Sequence, residues 1–136
     1  MKTTCFTYFT ISGDFNPAEV TELLNIQPFK KWNKGEVNDR GGVYETSKWS
    51  ACKCEEYDAY TDNQMKKTIA PLLDKIDLLV KFKQSHNVNF SLVVVPEIYA
   101  SDIKPCLSPS LDIIDFCHAT RTAIDIDMYV YNSKED

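Results

Sequence analysis

Glycine and histidine are scarce in this sequence, with four glycines and two histidines among 136 residues. The glycines, at positions 13, 35, 41 and 42, are too dispersed to form a loop that cradles a phosphate group. Gly-x-Ser-x-Gly, His-Glu-x-x-His and zinc-deaminase motifs are also absent. Two histidines leave few participants for general acid–base catalysis. These absences disfavour an enzyme of a known motif class, and we assign no catalytic residue.

Long apolar runs are missing as well. No run approaches the ~20 residues of a membrane-spanning helix, and the most hydrophobic run, residues 92–95, has the length of a strand. Residues 1–5 lack the apolar region of a secretory signal peptide. The sequence therefore predicts a cytoplasmic protein that does not partner with a membrane.

Positive charge is in deficit, since the net charge is −5 and the pI is about 5.0. A nucleic-acid-binding protein needs a basic face to displace counterions from phosphates, so this balance disfavours a nucleic-acid partner. Lys30, Lys31 and Lys34 form the main local basic cluster, which is small for that purpose. An acidic surface suits a basic protein partner, although solubility explains it equally well.

The cysteines do not form an obvious disulfide framework or metal site. Their number, five, is odd, and without an export signal this argues against disulfides. Cys52 and Cys54 are closer together than the usual zinc-ligand pair, and Cys117 with His118 can complete a site only if the fold brings them near. We expect structural cysteines, and we assign no metal ligand and no cofactor.

The best-specified segment is a helix start at residues 13–20. Asn16 is predicted as the N-cap, Pro17 occupies the first helical position, and Glu19 can reach back to the cap. Phe15 can pack on Val20 as a hydrophobic staple. The segment predicts a helix from residue 17 to about residue 25, preceded by a β-branched and aromatic strand over residues 3–12.

The remaining pattern alternates strands with helices. Short strands are predicted at residues 29–32 and 43–54, a long helix begins at Thr61 with a kink or restart at Pro71, and a strand at residues 88–95 ends at Pro96. A third helix opens at Ser108-Pro109, and a final strand covers residues 123–131. The order predicts an α+β fold, with an antiparallel or mixed β-sheet and about three helices packed mainly on one face. We treat residues 1–136 as one globular domain.

The final strand alternates in character. Ile124, Ile126, Met128 and Val130 are predicted to point inward, and four polar or aromatic residues are predicted to point outward: Asp125, Asp127, Tyr129 and Tyr131. Two aspartates two residues apart on a strand lie on the same face, roughly 7 Å apart. They can hold Mg²⁺ or divide acid and base roles, as in a metal-dependent hydrolase. The simpler interpretation is a polar stripe on a half-exposed sheet.

A second candidate surface lies between residues 27 and 56, which contain Trp32, Trp49 and Arg40. Tryptophan and arginine are common at the energetic centres of binding surfaces. A tryptophan in a short strand more often covers the edge of the core. We keep Trp32 and Arg40 as candidate binding residues beside the final strand.

Residues 9–28, 34–36 and 123–129 together resemble the bacterial domain-of-unknown-function family DUF4279. The resemblance implies a small intracellular α+β domain and brings no activity or catalytic residue with it. We expect a non-enzymatic protein-binding module that uses the outward sheet face, with Asn89 and Ser91 included if their strand adjoins the last one. An immunity-type inhibitor is one such module by analogy with small acidic proteins that neutralise toxins. The alternative is the hydrolase, and the sequence does not determine the oligomeric state.

Overall fold

A computed structural model describes residues 2–132 and confirms the predicted α+β class, with a mixed six-stranded sheet. The strands are β1 (Thr4–Asp14), β2 (Lys30–Trp32), β3 (Ser47–Cys54), β4 (Asn87–Tyr99), β5 (Thr122–Ile126) and β6 (Tyr129–Tyr131). Three helical segments accompany them: α1 (Pro17–Leu24), α2 and α3 (Thr61–Ile69 and Ile76–Ser85) joined by a 3-10 turn, and α4 (Leu111–Thr120).

The two longest strands form the centre of the sheet. The strand order is β2-β3-β1-β4-β5, and β6 also pairs with β4. The pairs β2–β3, β3–β1 and β1–β4 are antiparallel, whereas β5 and β6 are parallel to β4. This arrangement leaves β2 at one edge of the sheet and β5 with β6 at the other.

One face of the sheet carries the helices. Phe9 of β1 packs against Phe90 of β4 and Phe116 of α4, with ring centroids 5.6 and 6.4 Å apart. On β3, the indole of Trp49 is fully buried and donates to Thr21 Oγ1 of α1 at 3.0 Å. Alternate residues of the central strands join residues from all the α-helices in a single hydrophobic core. The helices thus pack mainly on one face, as predicted.

The start of α1 follows the predicted signals in part. Asn16 Oδ1 accepts from the amide of Ala18 at 3.1 Å, and Pro17 is the first helical residue. The carboxylate of Glu19 does not complete the expected box but lies 3.8 Å from Nε2 of His86. Phe15 makes an edge contact with Phe82 of α3, so its aromatic partner comes from the tertiary structure.

The proline signals have mixed outcomes. Pro71 lies in the 3-10 turn Ala70–Lys75 that separates α2 from α3, which confirms the predicted restart. The third helix begins at Leu111 with Ser110 as its cap residue, later than the predicted opening at Ser108-Pro109.

The prediction that Pro96 ends its strand is wrong, because β4 continues to Tyr99. The carbonyl of Val94 faces β5, where it accepts from the amide of Asp127 at 2.8 Å. Residues two apart on a strand direct their backbone groups to the same side, so the nitrogen of Pro96 also faces that edge. There β5 has ended and β6 has not begun, so the missing N–H interrupts no ladder.

The predicted final strand is divided, since β5 ends at Ile126 and β6 starts at Tyr129. Its supposedly inward residues lie on the helix side, but most of them are not buried: Ile126, Met128 and Val130 are 42%, 46% and 65% exposed, and Ile124 alone packs against the core. The physical reason is position, because an edge strand extends beyond the area that the helices cover.

Candidate functional site

The face of the sheet opposite the helices, here called the open face, brings distant parts of the chain together. Tyr8 of β1 is paired with Val93 of β4, which is paired with Asp125 of β5. Paired residues on neighbouring strands point to the same face, so these three side chains form a row. Glu97 of β4 and Tyr129 of β6 form another row. Asn89 and Ser91 share this face, because β4 does adjoin β5.

At the β5–β6 end of the open face lies a group that we call the acidic–tyrosine cluster. Its members are Tyr8, Glu97, Asp125, Asp127, Tyr129 and Tyr131. Most of them, with Phe6 and Val95, line a shallow pocket of about 220 Å³. The hydroxyl of Tyr129 donates to Asp127 Oδ2 at 3.2 Å, and the ring of Tyr131 stacks on Tyr99 at 4.9 Å. The cluster therefore combines oriented tyrosines with carboxylates.

The carboxylates of the cluster raise the pKa values of two of its tyrosine hydroxyls. Burial raises the pKa of Tyr8, and the nearby charges of Asp127 and Asp125 raise this pKa further. The pKa of Tyr129 is also raised, first by its hydrogen bond to Asp127 and then by the charge of that carboxylate. Both phenols therefore keep their protons at neutral pH and remain hydrogen-bond donors.

The opposite end of the open face is basic and aromatic. The ring of Trp32 stacks on Tyr44 at 4.1 Å, and the ammonium groups of Lys30 and Lys48 each lie 5.3 Å from its ring centroid. Burial lowers the pKa of Lys48, as does the charge of Lys30, whereas Asp125 opposes this shift. The open face is therefore bipolar, with carboxylates at one end and ammonium groups at the other.

A third lysine connects the two ends. The ammonium group of Lys53 lies 4.8 Å from the ring centroid of Phe6 and 5.2 Å from that of Phe29. Phe29 in turn makes an edge contact with Tyr8 at 5.4 Å. Cation–π contacts of this kind hold lysine side chains along an aromatic surface.

The structure gathers some of the predicted binding residues and separates others. Asp125, Asp127, Tyr129 and Tyr131 lie together at one edge. Trp32 lies on β2 at the far edge, four strand spacings or roughly 19 Å away. Arg40 is exposed in the β2–β3 connection, where its amide donates to Asn38 Oδ1 at 2.9 Å.

Several members of the open face were not identified from the sequence: Tyr8, Glu97, Lys48 and Lys53. The alternation within β1 is a usable signal, because Phe6 and Tyr8 lie between Cys5, Thr7 and Phe9. Both sets contain apolar residues, which made the strand resemble one buried on both faces. The register with β4 and β5 was needed to choose the face.

Metal binding gains no support. Within residues 2–132 there is no group of three or more histidine, cysteine, aspartate or glutamate side chains able to hold an ion. Asp125 and Asp127 therefore have no third ligand of these four types in that part of the chain, and neither do Cys52 and Cys54. All five cysteines are free. Burial raises the pKa of Cys5, Cys52 and Cys117 to about 11, so these thiols are protonated at neutral pH.

Comparison with protein families gives a match over nearly the whole chain. The family model DUF4279, described as a domain of unknown function, matches residues 3–131. No curated protein and no solved structure matches the chain. Of the helices described, none combines the length and apolarity needed to cross a membrane.

Proposed function

The chain belongs to the DUF4279 family over residues 3–131, and on that premise we propose that it is a non-enzymatic protein-binding module. Its binding surface is the acidic–tyrosine cluster. The family description carries no activity, so the proposal rests on geometry. The observation that carries it is the meeting of tyrosines and carboxylates from β1, β4, β5 and β6 on one partly exposed sheet face.

Tyrosines fixed on strands are efficient contact residues. Tyr129 is 47% exposed, yet its hydroxyl is oriented by Asp127, and the half-buried Tyr131 is oriented by its stack on Tyr99. Such side chains lose little conformational freedom when a partner covers them, and they bury a large area. Their support by strands rather than loops keeps the surface preorganised.

The carboxylates favour a basic partner. Asp125 and Asp127 are exposed, Glu97 is half-buried beside them, and the whole chain carries a net charge of −5. Surface charges of one sign speed the encounter with a partner of the opposite sign, and salt weakens this effect. A basic toxin is one partner of this chemistry, which is the narrower form of the proposal in which the protein acts as an immunity-type inhibitor.

The test begins with capture of partners from the native host and continues with binding kinetics on purified proteins. Asp125→Asn combined with Asp127→Asn is expected to slow association and to reduce its salt dependence. Tyr129→Ala combined with Tyr131→Ala is expected to accelerate dissociation, because contact area is lost. The matched control is Asp112→Asn with Asp115→Asn, which removes the same charge from the exposed surface of α4.

The two variant pairs decide the proposal together. If neither pair changes the kinetics more than the α4 control does, the acidic–tyrosine cluster is not the binding surface. A hydrolytic turnover that requires Mg²⁺ or Mn²⁺ and is lost in the aspartate variant moves the assignment to the hydrolase.

A further inference from the structure

The outer edge of β5 presents backbone groups that no other strand within residues 2–132 pairs with. The amide of Asp127 faces inward and donates to the carbonyl oxygen of Val94. Backbone groups alternate in direction along a strand, so the N–H and C=O groups of Ile124 and Ile126 face outward. Unpaired backbone groups in a row can accept another strand.

The side chains of this edge are sorted by face. On the helix side, Ile126, Met128 and Val130 are 42%, 46% and 65% exposed. On the open face, Asp125 and Asp127 occupy the intervening positions. Natural edge strands usually avoid pairing through lysines, prolines or inward-pointing charges. None of those residues stands between positions 122 and 131 on the helix side, where the edge is apolar.

A groove lies between α4 and the first half of β5, as far as Ile124. It is wide open to solvent, with a volume of about 530 Å³, and Ile114, Cys117 and Ile124 contribute apolar lining. Ile114 is itself 47% exposed. His118 and Arg121 lie at the end of the groove near the start of β5, away from Asp127. A strand added to β5 can therefore direct a side chain beside Ile124 into this groove and one beside Ile126 against an exposed apolar side chain.

We infer that the β5–β6 edge binds an extended segment of a partner protein in which basic and apolar residues alternate, and that this segment adds a strand to the sheet. The inference deepens the proposed function and rests on it, since it specifies how a basic partner approaches the acidic–tyrosine cluster. Apolar residues of the segment cover Ile124 and Ile126, while its basic residues on the other face meet Asp125 and Asp127. Cross-strand pairs of opposite charge stabilise such an arrangement.

In the register centred on Ile126, charge distinguishes this occupant from a second copy of the chain. Antiparallel pairing of β5 with its own copy around Ile126 would set Asp125 opposite Asp127 of that copy, and Asp127 opposite Asp125. Like charges directly opposite each other on neighbouring strands are destabilising. A segment carrying lysine or arginine at those positions turns the same contacts into favourable ones.

The first experiment uses a synthetic eight-residue peptide of alternating lysine and valine, with a block-sequence peptide of the same composition as control. Fluorescence anisotropy is expected to show saturable binding of the alternating peptide and much weaker binding of the block peptide. On the unmodified protein, hydrogen exchange of the Ile124 and Ile126 amides is expected to slow when the peptide binds. Equal binding of both peptides, or unchanged exchange at these two amides, overturns the inference.

The second experiment removes an outward donor. Ile126→Pro eliminates an N–H that faces away from β4, so the sheet is retained, and proline is tolerated at such edge positions. Peptide affinity is expected to fall about tenfold or more, the equivalent of one lost hydrogen bond. The matched variant Ile126→Val keeps the N–H and an apolar side chain and is expected to bind within about twofold of the original. If the proline variant does not fold, the exchange measurement on the unmodified protein decides the inference.

The same variants separate failure of the inference from failure of the proposed function. If the basic partner binds Ile126→Pro normally but is lost with Tyr129→Ala and Tyr131→Ala, the open face is the site and strand addition is wrong. If the proline variant abolishes binding and the tyrosine pair has no effect, strand addition is supported and the proposed surface is wrong. Self-association of the protein that is lost in Ile126→Pro identifies a second copy as the occupant and overturns the inference.

Discussion

Gln64 of α2 donates from its side-chain nitrogen to the backbone carbonyl oxygen of Cys5 at 2.8 Å, which joins a helix to the central strand across 59 residues of sequence. The same nitrogen lies 3.3 Å from the carbonyl oxygen of Cys54 in β3, and Gln64 Oε1 accepts from the amide of Asp58 at 3.2 Å. Gln64 is fully buried. One side chain thus satisfies backbone groups of three segments, where unpaired groups would be costly.

The first prediction follows from this arrangement. Gln64→Met keeps the volume but leaves two carbonyls and one amide without their partner, so the free energy of unfolding is expected to fall by about 2–3 kcal/mol. Urea denaturation measures it. Lys67→Met on the exposed side of the same helix is the control and is expected to change stability by less than about 0.5 kcal/mol. Equal stabilities of the two variants would contradict the role assigned to Gln64.

The second prediction concerns the cap of α1. Asn16→Ala removes the acceptor of the Ala18 amide and is expected to lower the free energy of unfolding by about 1 kcal/mol. Glu22→Ala, at an exposed position of the same helix, serves as the control. Thermal unfolding of the Asn16 variant at the temperature of the original protein would show that the cap contributes nothing.

The third prediction compares two glycines with positive φ. At Gly13 (φ +139°) an added Cβ would lie 2.3 Å from the carbonyl oxygen of Asn87, whereas at Gly41 (φ +81°) it would meet nothing within 4 Å. Gly41→Ala carries only conformational strain, about 1 kcal/mol. Gly13→Ala adds a clash with the backbone of β4 and is expected to cost more than about 3 kcal/mol. Similar unfolding midpoints for the two variants would refute the close approach of β1 and β4 at this glycine.

The fourth prediction is a loss of stability at alkaline pH. Burial raises the pKa of Cys5, Cys52 and Cys117 to about 11 in the folded protein, against about 8.5 in an unfolded chain. Between these values the unfolded state releases protons first, so the stabilisation is complete below about pH 8.5 and is lost as pH rises toward 11. The raised pKa values of Tyr8 and Tyr129 act in the same direction.

Urea denaturation at a series of pH values from 8 to 10.5 tests this prediction. Replacement of the three cysteines by alanine is expected to make the decline with pH shallower, because the tyrosines still contribute. A decline of equal slope in both proteins would mean that the thiols are not buried in the folded state.

The fifth prediction concerns the charge that Asp125 and Asp127 exert on Tyr8. Replacing both by asparagine is expected to lower the pKa of the Tyr8 phenol, because two charges that oppose its ionisation are removed while burial remains. NMR titration of tyrosines labelled at the ring carbon that bears the hydroxyl resolves this residue from the other six. The change Asp112→Asn with Asp115→Asn is expected to leave the pKa unchanged. An unaltered pKa of Tyr8 in the variant that lacks both the Asp125 and Asp127 carboxylates would show that these carboxylates are not neighbours of Tyr8.

Short-range signals in the sequence were sufficient where the physics is local. The Asn16-Pro17 start of α1 and the restart at Pro71 depend on backbone groups a few residues away, and both were predicted. Pro96 was wrongly predicted to end its strand, since the effect of a missing N–H depends on what faces it. Only the register of β4 with β5 and β6 shows that nothing there requires a donor at this point.

The candidate site, like the fold, was predictable from the sequence only in part. The shared face of Asp125, Asp127, Tyr129 and Tyr131 was predictable from the sequence, because successive side chains of any single strand point to opposite faces. Tyr8 joins them only through strand pairing across more than 80 residues of sequence, and Glu97 through pairing with a residue 32 positions away. Trp32 is separated from them by the strand order.

The sequence by itself determined the α+β class, the family and the outward alternation of the last strand. Tertiary structure alone decided that β5 and β6 form an edge and that Ile126, Met128 and Val130 are exposed rather than buried. The sequence of an alternating strand shows an apolar residue at a given position whether or not a helix covers that residue. Its burial depends on which strands and helices lie beside it, and those neighbours come from distant parts of the chain.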